Sequence, residues 1–302
     1  MQAREPELIE TLAELSPVLR EKRRRGWIIA VATVIGAVVF AVFAPSLFDS
    51  NDLRIPALGI AVGFGGVTML NRWVARTQQQ LVMPHLARTV DLEYQQNASA
   101  FLNRIPQRLL PRASVQKAED HLSGKVCGRK FEMAEVKIKT GGKRSRTVFQ
   151  GFVLRFENVA PLPAFFLAQA HETDRWFSRI DTSDLVESQK IRGQNDVAYG
   201  VWLSKAGMAQ KDPALTAVID ILTDLEEQIE GYVRLFSATS TGEEMHIALD
   251  HSSDLYRIGG LMASDEAIMD AIKKASEELN IPLQIVSTLL EAERQSAQIK
   301  EV

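Results

Sequence analysis

Histidine and cysteine are the residues best suited to metal binding or nucleophilic chemistry, and this sequence holds five histidines and one cysteine. A zinc protease needs two histidines four residues apart with a glutamate between them, and His171-Glu172-Thr173-Asp174 supplies one histidine. His246 lies in a predicted strand and His251 beyond its end, so a shared metal is not expected. We interpret these two and His121 as surface residues, with His121 in a polar loop, and we predict no metal site.

Covalent and phosphate chemistry have equally little support in the sequence. A cysteine nucleophile needs a base beside it in space, and we interpret Cys127 as a packed strand residue. The segment Gly141-Gly142-Lys143 lacks the loop length and the following helix of a phosphate cradle, and no Gly-x-Ser-x-Gly elbow occurs. The sequence therefore predicts no catalytic residue and no cofactor, and it does not favour an enzyme.

A cluster of positive charge around a predicted hairpin tip is a candidate binding surface. Its members are Lys137, Lys139, Lys143, Arg144 and Arg146. Beside a membrane, anionic lipids attract each nearby Lys or Arg by about 1 kcal/mol, which makes these residues candidates for lipid contact. The alternative is that charged hairpin tips keep edge strands from aggregating.

The region that carries these charges alternates with the period of a β-strand. Apolar residues alternate from Phe131, change phase at Ala134-Glu135 and resume at Val136, which predicts a bulge. The segment RTVFQGFVLRFE predicts the return strand of a long hairpin. Further strands are predicted at 164–170, at 196–203 and in a second hairpin around Ser240-Thr241-Gly242.

Helices are predicted in the second half of the chain. Asp212 is a natural N-cap and Pro213 suits the first helical position, so a helix is predicted over 213–230. Ser264 and Pro282 begin two more predicted helices in the tail. Antiparallel strands with helices packed to one side define an α+β domain, which we assign to residues 111–302.

The N-terminal part of the chain contains two long runs without charged side chains. From Trp27 to Ala44 the run is roughly 27 Å long at about 1.5 Å per residue, near the hydrocarbon thickness of a bilayer. The second run extends from Ile55 to Leu70. Trp27 and Trp73 lie at the outer ends, where interfacial aromatic residues belong. These features predict a transmembrane helical hairpin over residues 27–74.

Two alternatives to a transmembrane hairpin remain open, a signal peptide and a buried hairpin of a soluble protein. A signal peptide has a shorter apolar core, and a buried soluble helix normally keeps a polar stripe, so the bilayer hairpin is favoured. Small residues would let its two helices approach closely, in the pairs Gly59 with Gly63 and Ala32 with Gly36.

Basic residues predict the orientation of this hairpin. Those before the first run are Arg20, Lys22, Arg23, Arg24 and Arg25, and those after the second are Arg72, Arg76 and Arg88. The short loop between the runs has only Arg54, so both termini of a two-span cell-membrane protein should be cytoplasmic. Residues 1–26 then form a cytoplasmic N-terminal helical segment, and residues 75–110 form a helical connector.

Composition limits the classes of partner. The formal net charge is −3 with a pI near 6.0, so no nucleic-acid partner is expected. The single cysteine excludes an intramolecular disulfide, which suits a reducing compartment.

The order of these elements resembles a known family. A membrane hairpin, a helical linker, SGKVCGRKFEMAEVKIKT, a basic turn and RTVFQGFVLRFE look like the bacterial membrane-associated family called domain of unknown function 3137. The later DVAYGVWLSKAGMAQKDPALTAVIDILTDLEE and MHIALDHSSDLY are similar to its second half. The resemblance covers most of residues 78–260, and Gln150 departs from it, standing where a basic residue is expected. It implies a membrane location and no established activity.

Two functions of different class follow from the sequence. The favoured one is a non-enzymatic cytoplasmic domain, tethered to the bilayer by two helices, that binds a protein partner or organises a complex. The alternative is a membrane-tethered enzyme or small-ligand-binding domain with a site between the sheet and the helix 213–230. Transport is disfavoured because neither run contains a charged residue that would mark a polar path.

Overall fold

The computed structural model describes most of the chain in two compact units. The described residues are 5–47, 54–113, 115–142, 144–169, 184–193, 197–209, 212–228, 233–251, 256 and 258–300. The helical unit comprises Gln2–Val90 and Leu255–Glu278, and the sheet unit comprises Asp91–Asp254 and Leu279–Val302. The domain boundaries drawn from the sequence stay a prediction.

The helical unit is built on two long helices, α1 (Glu5–Leu47) and α2 (Arg54–Thr89). Gly59 and Gly63 lie in their interface, because a Cβ atom added at Gly59 would meet Phe40 at 2.9 Å and one at Gly63 would meet Ala37 at 2.8 Å. The predicted Gly59 and Gly63 contact is therefore confirmed. The predicted helix contact of the other pair, Ala32 with Gly36, is not confirmed, because both residues are exposed.

The sheet unit holds nine antiparallel strands among the described residues. They are β1 (Leu92–Asn97), β2 (Val115–Val126), β3 (Arg129–Lys139), β4 (Thr147–Glu157), β5 (Phe165–Gln169), β6 (Leu185–Arg192), β7 (Ala198–Ser204), β8 (Arg234–Ser240) and β9 (Glu244–Asp250). Their order across the sheet is β1-β2-β3-β4-β9-β8-β5-β7-β6. The predicted α+β class, with long apolar helices before an antiparallel sheet, is thus confirmed.

Four further helices accompany the strands in the described part of the chain. They are α3 (Ser99–Leu102), α4 (Lys205–Ala209), α5 (Pro213–Gln228) and α6 (Asp265–Lys300). Asp212 caps α5 as predicted, because its Oδ1 accepts a hydrogen bond from the backbone N–H of Ala214 at 2.9 Å. The beginning of α6 belongs to the helical unit and its remainder to the sheet unit.

One face of the sheet packs under the segment 98–113. Phe101, Ile105 and Leu109 from this segment join a buried cluster with strand residues such as Val136 and Val153. The hydroxyl of Ser237 donates a hydrogen bond to the backbone carbonyl of Leu109, which attaches the segment to β8. Large buried side chains such as Phe101 each stabilise the fold by several kcal/mol, about 3–5 kcal/mol on truncation to alanine.

The phase change predicted in β3 is present, but the extra residue lies in the neighbouring strand. Met133 and Ala134 are both buried, and the register of β2 on β3 shifts between Glu119 and Leu122. Asp120 has a φ of 54° there. The bulge therefore belongs to β2, opposite the position at which the β3 pattern changes phase.

The connector and the tail differ from their predicted structures. Residues 92–97 form strand β1 rather than helix, since α2 ends at Thr89 and Leu92 pairs with Gly124 of β2. In the tail α6 continues through Pro282 as one helix. Buried apolar residues recur at helical spacing on both sides of this proline, at Leu279, Leu283, Val286 and Leu290, so packing maintains the helix although proline removes a hydrogen bond.

Candidate functional site: a charged cluster on the sheet

Neighbouring strands of the sheet unit bring a row of polar side chains together. Glu132 of β3 is paired with Arg155 of β4, and Arg155 is paired with His246 of β9. Directly cross-strand residues have side chains on the same face of a sheet. The row therefore lies on the face that carries Ala134 and Ala248 of the buried cluster.

Arg155 is the centre of this row. Its Nε donates to Glu244 Oε2 at 3.0 Å, its Nη2 to Glu244 Oε1 at 2.5 Å and its Nη1 to Glu132 Oε2 at 2.6 Å. The pair with Glu244 is bidentate, which is the strong geometry for a guanidinium and a carboxylate. One cation thus joins carboxylates from β3 and β9 across β4.

A second guanidinium completes the hydrogen bonding of Glu132. Arg104, which follows α3 in the segment over the sheet, donates from Nη2 to Glu132 Oε1 at 2.7 Å. The cluster therefore attaches that segment to the sheet. Burial opposes ionisation of Glu132, but the hydrogen bonds from Arg104 and Arg155 outweigh it and hold the pKa of Glu132 below its usual value.

The two histidines of the cluster are neutral near pH 7. Burial lowers the pKa of His246 to about 4, although Glu244 lies nearby, and burial also lowers the pKa of His121. Their Nε2 atoms lie 3.8 Å from Glu244 and 3.6 Å from Glu132 respectively. Both nitrogens of His246 are buried without a hydrogen-bond partner among the described residues, so protonation would place an unsolvated charge there.

A cleft of about 300 Å³ borders the cluster, and its charges are already paired. Lys130 lies 3.0 Å from Glu157 at its edge, while Arg104, Glu132, Arg155 and Glu244 pair as described above. A ligand would have to displace these partners to gain a charged contact. The cluster therefore joins three strands and their covering segment through ion pairs.

A buried carboxyl group occurs elsewhere in the sheet unit. Glu293 of α6 accepts a hydrogen bond from the backbone N–H of Val159 at 2.6 Å, and burial raises its pKa to about 7. No group of three or more His, Cys, Asp or Glu residues that could hold a metal is present in the part of the chain described here.

The alternative site beside α5 is occupied by apolar side chains. Leu215, Val218 and Leu222 are buried on this helix, which packs against β8. Burial and the neighbouring Asp224 raise the pKa of Asp220, but these groups share the helix rather than converging from different elements. The described part of this interface is a packed core.

The interpretation of the histidines as surface residues is wrong. His246 is 2% exposed, and His121 and His251 are also buried. His121 lies within β2 instead of a loop. The sheet is covered on both faces, so a strand residue of either parity can be buried, and alternation alone does not indicate exposure. His171 lies outside the described residues.

The interpretation of Cys127 as a packed strand residue is also wrong. Cys127 is exposed and lies in the two-residue turn between β2 and β3, where Cys127 and Gly128 have φ values of 51° and 81°. Positive φ at both central residues is typical of a type I′ hairpin turn. Its carbonyl accepts a hydrogen bond from Arg294 Nη2 at 2.8 Å.

The predicted basic surface lies at the tip of the β3–β4 hairpin. Lys137 and Lys139 are half-buried on β3, whereas Arg144 and Arg146 are exposed in the connection. The backbone N–H of Arg146 donates to Thr140 Oγ1 at 2.9 Å and closes this connection. Lys143 lies outside the described residues.

The sequence analysis missed Glu132, Arg155 and Glu244. A signal for two of them is present, because Glu132 lies between apolar residues in β3 and Arg155 lies between Leu154 and Phe156 in β4. Opposite charges on the same face of two hairpin strands suggest a cross-strand pair. Glu244 joins them only through the pairing of β9 with β4, which is a long-range contact.

Comparison with known proteins adds no functional assignment. Among solved structures, the chain is similar to the crystal structure of the mycobacterial trehalose monomycolate transport factor A, TtfA, with 8% identity and a TM-score of 0.35. The match covers 68% of this chain and 96% of that chain. No protein-family profile and no curated protein matches the sequence. The resemblance to the domain of unknown function 3137 family stays a prediction.

Proposed function

We propose that the protein is anchored in the cell membrane by α1 and α2, with both chain termini and the sheet unit on the cytoplasmic side. The observation that carries this proposal is the outward-facing apolar surface of the two helices. The large apolar residues exposed on them include Ile28, Val31, Ile35, Val38, Val42, Leu58, Val62, Phe64 and Met69. In water, each such side chain would forgo about 1.5–3 kcal/mol of burial free energy.

The low burial of the two helices supports this proposal over the soluble alternative. Both are long and apolar enough to cross a membrane, and 11% and 17% of their most apolar windows are buried. A core helix of a soluble protein would be mostly buried. Lipid tails would solvate the exposed surface, and the flanking Arg72 and Arg76 are exposed at the end predicted to be cytoplasmic.

Charge substitution within the apolar surface tests membrane insertion. Ile35→Asp with Phe64→Asp should move the protein from the alkali-resistant membrane fraction to the extractable fraction, because Asp in the middle of a span costs roughly 2.5–3.5 kcal/mol. Gln80→Asp, at an exposed position of α2 beyond the apolar run, is the matched control and should stay in the membrane. Equal fractionation of both variants and the wild-type chain would contradict insertion.

For the sheet unit we propose a non-enzymatic binding or scaffolding role at the membrane. The support is that the charged groups around its cleft are mutually paired, which suits a rigid framework better than a reacting site. The domain of unknown function 3137 resemblance would agree with such a role. The basic hairpin tip is proposed to contact anionic lipid.

Affinity capture from membranes in mild detergent tests the scaffolding role. A stoichiometric protein partner should be recovered with the wild-type chain and lost with Ile247→Ala, which destabilises the sheet. A chain that is recovered alone, and whose thermal unfolding is shifted by a small metabolite, would instead support the ligand site beside α5.

A further inference from the structure

The loop 258–264 of the helical unit is held against α1 and α2 by polar contacts. The backbone N–H of Gly260 donates to Gln78 Oε1 at 2.8 Å, and that of Leu261 donates to Asn71 Oδ1 at 2.7 Å. Arg23 of α1 donates from Nη1 to the carbonyl of Ala263 at 2.6 Å. Side chains from both helices therefore fix the position of this loop.

Glycine is required at the start of this loop. Gly259 and Gly260 have φ values of 67° and 145°, which other residues rarely adopt. A Cβ atom at Gly259 would lie 2.2 Å from Gln78 Oε1, and one at Gly260 would lie 2.9 Å from Asn71 Oδ1. The close approach of the backbone to α2 thus depends on both glycines.

Leu261 anchors the loop between the two helices. It is fully buried and forms a cluster with Ala30 of α1 and Val74 of α2. A Cβ atom at Gly26 would lie 3.0 Å from Leu261 Cδ1, so glycine at this position makes room for the leucine. The contacts at Gly26 and Ala30 place the loop beside the turn of α1 that contains Trp27.

Met262 is directed away from this anchor. It is 69% exposed, and it lines one shallow recess together with Trp27 and Arg23. Trp27 lies at the start of the apolar run, where aromatic residues mark the membrane–water boundary. Arg23 lies about 6 Å further along the helix, toward the aqueous side. Met262 is therefore a large apolar side chain without cover at the depth of the interfacial layer.

We propose that the loop 258–264 is a third membrane contact, in which Met262 inserts into the phospholipid interface beside Trp27. This inference rests on the proposed membrane anchoring of α1 and α2. The lipid occupant follows from continuity, since the exposed surface of Met262 adjoins the exposed apolar surface of α1. A flexible, unbranched thioether side chain adapts well to the boundary between headgroups and acyl chains.

The contact fixes the beginning of α6 at the membrane surface. Arg23 Nη2 donates to Asp265 Oδ1 at 2.6 Å and Arg20 Nε lies 2.9 Å from Asp265 Oδ2. The hydrogen bond from Arg23 holds the pKa of Asp265 below its usual value, so this first-turn carboxylate remains charged near pH 7. Met262 on the lipid side and Asp265 on the basic side together orient the first turn of α6.

Lipid quenching of an environment-sensitive fluorophore tests this contact. In a Cys127→Ser background, single cysteines are introduced by Met262→Cys, Ile35→Cys and Met208→Cys, labelled, and placed in nanodiscs that contain lipids spin-labelled near the headgroup or deep in the acyl chain. Position 208 is an exposed methionine of α4 and is the aqueous control. Position 35 lies within the apolar run of α1 and is the bilayer control.

The expected pattern separates the loop contact from the membrane anchor. The shallow spin label should quench the fluorophore at position 262 severalfold more than the deep one does. The deep spin label should quench the fluorophore at position 35 more strongly. Neither spin label should quench the fluorophore at position 208. Quenching at 35 with no quenching at 262 overturns the loop contact alone. No quenching at either position overturns the membrane anchor as well.

A measurement without a fluorophore controls for the possibility that the label disturbs the loop. In the unmodified chain with ¹³C-methyl methionine, a shallow spin-labelled lipid should broaden the Met262 methyl resonance and leave Met208 unchanged, with Met262→Leu providing the assignment. Equal behaviour of the two methyl groups would contradict the proposal. Broadening of Met262 by a protein partner instead of by lipid would do the same.

Discussion

The apolar runs 27–44 and 55–70 of α1 and α2 place large apolar residues differently from the sheet unit. Ile35 of α1 is 57% exposed, whereas Ile247 of β9 is fully buried. Within the apolar runs 27–44 and 55–70, small residues such as Gly59 and Gly63 lie in the contact between α1 and α2, whereas the large apolar residues are mostly exposed. This difference supports the proposal that the two parts have different solvents, lipid for the apolar runs of the helices and water for the sheet.

The largest expected effect is the difference between an Ile→Ala substitution in the sheet unit and one in the helical unit. Ile247→Ala should destabilise the sheet unit by about 2–5 kcal/mol, because it leaves a cavity in a close-packed core. Ile35→Ala should change stability in a bilayer by about 0.5 kcal/mol or less, because lipid tails fill the space. Denaturant unfolding in nanodiscs, followed by proteolysis of each unit, measures both. Similar costs for the two variants would contradict the comparison.

A pH dependence follows from the buried His246 of the sheet unit. Its folded-state pKa of about 4 lies below the unfolded value of about 6.5. The unfolded chain therefore binds more protons at this group between these values, and the contribution of His246 to stability should fall as the pH decreases from about 6.5 to about 4, by up to about 3 kcal/mol. His246→Leu removes the titrating group. Glu293, whose raised pKa has the opposite effect on stability, and His121 titrate in both chains. The difference in unfolding free energy between the wild-type chain and the variant should therefore change across this range, and a constant difference would refute the assignment.

Truncation of Arg155 should have a smaller effect on the same unit. Arg155→Met leaves the carboxylates of Glu132 and Glu244 without their shared cation, at a cost of about 2 kcal/mol after allowance for partial exposure. The variant that also carries Glu132→Met and Glu244→Met should recover most of this loss. Denaturant unfolding measures both, and a triple variant that is less stable than the single one would show that the cluster does more than hold the strands.

The smallest expected effect concerns the basic hairpin tip. Arg146→Gln should weaken contact with anionic lipid by about 1 kcal/mol, or roughly fivefold. Lys190→Gln removes one charge from an exposed position of β6 and is the matched control. A fluorophore at Ser145→Cys in the Cys127→Ser background reports the contact in nanodiscs with and without anionic lipid. No difference between these lipid compositions would leave edge protection as the role of the basic residues.

The local elements of both units could be predicted because their signals lie close together in the sequence. The uncharged runs, the alternation in β3 and β4, and the Asp212-Pro213 start of α5 each occupy a single segment. The α+β class follows from their order. The strand β1 could not be predicted, since Leu92 forms a strand only through its pairing with β2, which follows later in the chain.

The candidate sites could not be predicted, because they depend on contacts between residues that are far apart in the sequence. The burial of His246 requires knowledge that both faces of the sheet are covered. The joining of Glu244 to Arg155 requires the pairing of β9 with β4. The position of Leu261 between α1 and α2 joins residues that are far apart in the sequence, and Gly259-Gly260 is a local signal of a special backbone there.

The central claim is that α1 and α2 cross the bilayer and leave the sheet unit in the cytoplasm. Its most direct test uses Cys127, the single cysteine of the sequence, which is exposed in the sheet unit. A membrane-impermeant maleimide should label Cys127 in inverted membrane vesicles and leave it unlabelled in intact cells, whereas Asn51→Cys in a Cys127→Ser background should show the reverse. Labelling of Cys127 in intact cells would contradict the account.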